Sequence, residues 1–140
     1  MSIPLWALLG FAGWTVMLLL GTVGIYRWSR ILTGRVPMSA FRADQVEGED
    51  WYKRSMRAHA NCIENLPVFG AIVFVLHVSG TVGSMIDALC IIVLVTRILQ
   101  SLIHVCFAAT NTMVGIRFAF FLPQLICFLI LIVMIIQQQG

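Results

Sequence analysis

Charge is scarce in this chain. Of its 140 residues only 11% are Asp, Glu, Lys or Arg, against about 25% in an ordinary soluble domain. Lysine occurs once, at Lys53, and tyrosine only at Tyr26 and Tyr52. The hydrophobic share is 60%. A compact soluble domain of this size has too little interior to hide so much apolar surface, and disorder is excluded for the same reason. The cysteines Cys62, Cys90, Cys106 and Cys127 all lie in apolar stretches without metal-ligand spacing. They read as small core hydrophobes, not as a disulfide framework. No Walker, Rossmann, zincin or nucleophile-elbow motif occurs. Internal repeats and low-complexity stretches are also lacking, and nothing suits nucleic acid.

What is present is a set of long apolar runs, which point to an all-α integral membrane protein. Each helical span needs about 20 apolar residues, so the chain has room for four. They are expected near residues 5–26, 54–79, 84–108 and 117–137, as one four-helix membrane domain over 1–140. No Lys or Arg precedes the first run, and its apolar core is long for a secretory signal, so it reads as a retained helix. Residues 27–53 form the one substantial polar segment. Arg27, Arg30, Arg35, Arg42 and Lys53 stand there beside Asp44, Glu47, Glu49 and Asp50. Gly34 and Pro37 interrupt it, and it reads as a membrane-surface loop with room for a short interfacial helix. The stretches 79–83 and 109–116 read as turns. Pro123 lies within the fourth span, where membrane helices tolerate it.

Apart from Arg97, every Lys and Arg flanks one side of this four-span arrangement. By the positive-inside rule the 27–53 loop and the 109–117 turn face the cytoplasm, and both termini face the opposite compartment. Compactness and the lack of a targeting segment favour a bacterial inner membrane over the endoplasmic reticulum.

Ionisable groups inside a membrane are costly and usually mark function or an essential pair. Arg54, Arg57, Asn61, Glu64 and Asn65 fall within an arc of about 100° on the second span. His59 and Cys62 fall outside it. Arg97, Gln100, Ser101 and His104 form a matching stripe on the third span. Arg97 sits about eleven residues, roughly 16 Å, from the cytoplasmic end of its helix, where it needs an anionic partner or a polar cavity. Glu64 is the other charged group at comparable depth. Two readings remain open: a buried Glu64–Arg97 pair that fixes helix register, and a site that opens toward the basic loop. As a site it would hold Arg54, Arg57, Arg97 and Arg117 against one Glu64, a surplus suited to an anionic, hydrogen-bonding ligand. Haem is not expected, because His77 and His104 lie at opposite depths and His59 is off the stripe. No metal site is expected either.

The run Arg54-Ser-Met-Arg57-Ala-His59-Ala-Asn61-Cys-Ile-Glu64-Asn65-Leu-Pro67-Val-Phe69 resembles the signature of the MAPEG family, the membrane-associated proteins of eicosanoid and glutathione metabolism. The order of four spans agrees over nearly the whole chain, though only this motif is sharp. The resemblance implies a homotrimer of four-helix subunits embedded among membrane lipids. It implies reduced glutathione as co-substrate, bound between neighbouring subunits at the cytoplasmic side. Its thiol would be transferred to lipophilic electrophiles, or used to reduce lipid hydroperoxides. Positions matching Arg57, Asn61 and Glu64 hold glutathione's carboxylates and amine, and an arginine on the third span matches Arg97. Arg117, at the start of the fourth span, matches the arginine that stabilises the thiolate and is the expected catalytic residue. Arg54, Gln100 and His104 complete the expected glutathione-binding set. One departure stands out: well-studied members carry tyrosines on the third span, and here that region reads Arg97-Ile-Leu-Gln100-Ser101-Leu-Ile-His104. Two functions therefore compete. One is a glutathione transferase or peroxidase. The other is a non-catalytic trimeric membrane protein that takes a lipid, an anionic ligand or a protein partner in the same pocket. A small transporter is less attractive, since four spans lack a repeat.

Overall fold

The computed structural model describes residues 1–41 and 49–140. Arg42, Asp44 and Glu47, read above as part of the charged loop, lie outside the described residues. Four helices are long and apolar enough to cross a membrane: α1 (Ile3–Leu32), α2 (Asp50–Ser79), α3 (Ser84–Cys106) and α4 (Asn111–Gln139). No strand occurs among the described residues. The chain is an all-α, multi-pass integral membrane protein. The helix ends that meet residues 33–49 and 107–110 are called the basic end below.

α1 is not one regular helix. Its buried positions run Pro4, Ala7, Phe11, Thr15 and Leu18, at α-helical spacing, and then jump to Val23 and Tyr26. The jump of five residues marks a π-helical segment, Leu19–Gly24. Such wide turns insert an extra residue and rotate everything after them. A Cβ at Gly24 would stand 3.2 Å from the Leu19 carbonyl oxygen, so glycine lets the wide turn close. The Thr22 hydroxyl bonds back to the Leu18 carbonyl there. The rotation brings Tyr26 against Tyr52, with stacked rings 4.1 Å apart. Arg27 Nε then donates to the Tyr52 hydroxyl at 2.8 Å, and Arg30 lies 4.3 Å over the Tyr26 ring. Arg30 also pairs with Glu49 at 2.8 Å. This aromatic and basic cluster ties the end of α1 to the start of α2.

α2 runs through Pro67 without a break. It stops at Gly80, whose φ of 66° is left-handed and whose turn returns the Thr81 N–H to the Leu76 carbonyl. Residues 80–83 then make a short turn into α3. The second turn is shorter than the expected 109–116. α4 already starts at Asn111, because the Thr110 hydroxyl caps it by accepting from the Met113 N–H at 3.2 Å. Arg117 is therefore inside a helix, not at its entrance.

α3 is the hub, in contact with α1, α2 and α4. Phe11, Phe69, Ile86, Val93, Phe128 and Leu131 lead the shared apolar core. Trp6, Leu20, Val78 and Ile136 stay exposed, which costs nothing where the surrounding medium is lipid tail. Cys62, Cys90 and Cys127 are buried as expected for small hydrophobes. Cys106, at the end of α3, is exposed.

Candidate functional site

The two polar stripes meet at the basic end, and the α2 stripe divides in a way the spacing could not foretell. On α2 the stripe has an inner and an outer edge. Arg54, Asn61 and Asn65 are half-buried against the bundle, whereas Arg57 and Glu64 are exposed on its outside. On α3 the whole stripe turns inward, and Arg97, Gln100, Ser101 and His104 are all buried.

Asn61 and His104 join the stripes, with Nδ2 of one 3.2 Å from Nε2 of the other. One residue further along α2, the thiol of Cys62 lies 3.4 Å from the Ser101 hydroxyl. Arg54 holds the mouth. It pairs with Asp50 one turn earlier and reaches the Val105 carbonyl from Nη2 at 3.2 Å, so it clasps α2 to the end of α3. Arg117 comes in from α4, buried, and donates from Nη2 to the Phe107 carbonyl at 3.4 Å. Its Nε is buried and has no partner among the described residues.

A cavity of about 280 Å³ opens between these elements. Its polar lining is Asn61, Gln100, His104 and Arg117, and its apolar wall is Val114, Phe118 and Phe121. Four of the expected site residues are thus brought together. Arg54, Arg57, Glu64 and Arg97 do not line this cavity. Arg57 and Glu64 look outward from the same helix that contributes Asn61.

The Glu64–Arg97 pair is not formed within the chain. Arg97 is only 1% exposed, whereas Glu64 lies on the outer surface, and no ion pair joins them. The reason is angular. Glu64 falls at the outer edge of its stripe, away from α3, while Arg97 points into the bundle. Its guanidinium lies 5.7 Å from the Phe11 ring centroid of α1, a cation–π contact. Its Nε and Nη2 are buried without a hydrogen-bond partner among the described residues.

One residue of the site escaped the sequence reading. Gln124 is fully buried, and its Nε2 donates to Oε1 of Gln100 at 3.2 Å. The signal was there: an amide in an apolar run, seven residues and two turns after Arg117, hence on the same face. Standing alone in that run, it belongs to neither of the two polar stripes. Among the described residues no group of three or more His, Cys, Asp or Glu side chains gathers as metal ligands would.

The geometry can do three things. It offers hydrogen-bonding side chains on an open cavity, a cation among them, and an apolar wall on which Val114 and Phe118 are exposed. Compared with known proteins, the chain matches the model of the MAPEG family over residues 3–137. No curated protein and no solved structure gives a match.

Proposed function

From its membership of the MAPEG family, to which this chain belongs, we propose that it is a glutathione-dependent membrane enzyme that attacks lipophilic substrates at the basic end of the bundle. Family membership makes it a membrane protein of glutathione and eicosanoid metabolism. The finer reading concerns what this site does with the peptide.

The observation that carries it is the meeting of Asn61, Gln100, His104 and Arg117 on one cavity, with Arg57 and Glu64 exposed beside it. Glutathione has two carboxylates, one amine and one thiol. Arg54 and Arg57 suit the carboxylates, Glu64 suits the amine, and Asn61 supplies a neutral polar contact. In one subunit Arg57 and Glu64 face outward, where lipid would be a poor neighbour for charge. A homotrimer, with the peptide lying between subunits, covers them.

The thiol then falls to Arg117. A nearby guanidinium lowers a thiol's pKa, and the thiolate is the nucleophile. Val114 and Phe118, exposed on α4, give an oily electrophile or hydroperoxide a lateral route from the bilayer. Arg97, deep in the bundle, serves as a fixed positive charge behind the site. The 27–53 loop is proposed to be cytoplasmic, which puts the site where reduced glutathione is plentiful.

A second reading has one observation in its favour. α3 carries no tyrosine, and Tyr26 and Tyr52 are stacked on each other near the α1–α2 connection, outside the cavity lining. A trimer that binds a lipid or an anionic ligand without chemistry would have the same pocket. Calorimetric titration of the purified protein with reduced glutathione tests the first reading. Saturable binding that Arg57→Ala weakens supports it, and no heat of binding contradicts it.

A further inference from the structure

The end of the bundle opposite the basic one holds a second, smaller cavity of about 90 Å³. Ser2, Pro4, His77, Thr81, Val82 and Asp87 line it. The left-handed turn at Gly80 reverses the chain after α2. The last turn of α2, with His77, then shares a gap with the first turn of α3, with Asp87, and the start of α1 closes that gap. Asp87 is half-buried. Its carboxylate joins no ion pair among the described residues, with the Met1 amino group or with any other cation. The stretches 1–26, 58–96 and 118–140 contain no Lys or Arg, so no such side chain lies at this end to neutralise it.

A carboxylate withdrawn from water without a counter-charge is costly. The rest of the lining offers it none. Ser2 and Thr81 bring hydroxyls and His77 an imidazole, each able to accept a hydrogen bond and none with a permanent positive charge. What the cavity lacks is a cation with N–H or O–H groups to give. Its two ligating side chains, His77 and Asp87, do not form part of any group of three that could hold a metal ion among the described residues.

We propose that this cavity is a lipid site that receives the primary ammonium of a phosphatidylethanolamine head group, with Asp87 as its counter-ion. The proposal is independent of the glutathione reading, which concerns the other end of the molecule. Three observations select a lipid and this head group. First, the cavity lies where the spans end, at the level of lipid head groups. Second, the cavity sits beside the start of α3. The first backbone N–H of that helix to bond within the chain is that of Asp87, to the Gly83 carbonyl. The N–H groups of residues 84–86 are left over at the positive end of a long helix, where a phosphate is favoured. A zwitterion with phosphate and ammonium two carbons apart matches a helix start beside a carboxylate. Third, Phe74, one turn before His77, and Ile91, one turn after Asp87, are exposed deeper in the membrane. They give acyl tails an apolar surface below the head group. Phosphatidylcholine has the same phosphate, but its trimethylammonium has no N–H to donate and is bulkier.

Native mass spectrometry of the protein in mild detergent tests this, with lipids of identical acyl chains added in turn. Phosphatidylethanolamine is expected to bind about tenfold more tightly than phosphatidylcholine, the effect of one charge-assisted hydrogen bond at a partly solvated site. The N-methyl and N,N-dimethyl lipids should fall stepwise between them. Asp87→Asn should bring phosphatidylethanolamine down to the phosphatidylcholine level. Val82→Trp should do the same by filling the cavity. Val82 is 76% exposed on the turn, so the substitution disturbs no packing, and it carries the test if Asp87→Asn does not assemble. Equal binding of the two lipids by the unaltered protein overturns the proposal. A preference that persists in both variants places the ammonium elsewhere and equally overturns it. Free ethanolamine that binds as tightly as the lipid would make the cavity a site for a soluble amine, which also contradicts a lipid site.

Discussion

The Asn61 amide nitrogen lies 3.2 Å from Nε2 of His104, and through that contact the polar edge of α2 is locked to the polar face of α3. Everything placed around the cavity depends on this register. Arg57, one turn before Asn61, is left on the outside of the bundle, and Gln100, one turn before His104, is left inside.

Arg57→Ala removes one charge-assisted hydrogen bond to glutathione, worth about 1.5–3 kcal/mol. Affinity should fall roughly tenfold to a hundredfold. The fold should be unaffected, since Arg57 is exposed and supports no packing. Calorimetry of the variant beside its helical circular dichroism checks both halves.

Arg117→Ala should separate binding from chemistry. With the guanidinium gone, the bound thiol has a higher pKa. Less thiolate is then present at neutral pH, and the fraction recovers as pH rises toward the new value. The rate should fall at neutral pH and recover in part in alkaline buffer. Affinity for S-methyl glutathione, which has no thiol to ionise, should stay nearly the same. A rate lost equally at all pH values would assign Arg117 to structure.

Glu64→Gln distinguishes site from scaffold. Within the chain Glu64 is exposed and is not paired with Arg97. The substitution should leave helix content and the isolated subunit's packing intact while weakening glutathione through its amine. Collapse of the folded oligomer, with glutathione affinity untouched in Arg57→Ala, would make the stripe scaffolding.

Assembly and orientation are expected to follow from the exposed charges. Native mass spectrometry in mild detergent should show a trimer, and a monomer alone would contradict an intersubunit site. Reporter fusions to the C-terminus should place it away from the cytoplasm, the side opposite the 27–53 loop.

The four helices were legible in the sequence because apolar length is a strong signal, and the polar stripes were legible because helical spacing is regular. Other features were not, each for a physical reason. Arg117 looked like a boundary, since hydropathy records where the membrane ends; helix α4 begins at Asn111 because Thr110 caps it. The π-helical turn at Leu19–Gly24 leaves no mark on hydropathy, although it decides that Tyr26 meets Tyr52. Glu64 and Arg97 shared a depth, which suggested a pair. Which way each edge of a stripe turns is set by the packing of α2 on α3, not by position along one helix. Gln124 was passed over because it stands alone in the apolar run of the fourth span and belongs to neither stripe, yet it donates to Gln100.

The central claim is that glutathione is bound here as a thiolate beside Arg117. Ultraviolet difference absorbance measures this most directly, as reduced glutathione is added to the purified protein near neutral pH. A saturable thiolate band that disappears in Arg117→Ala is the predicted result. Glutathione that binds with no thiolate band would contradict the claim and favour a binding protein without this chemistry.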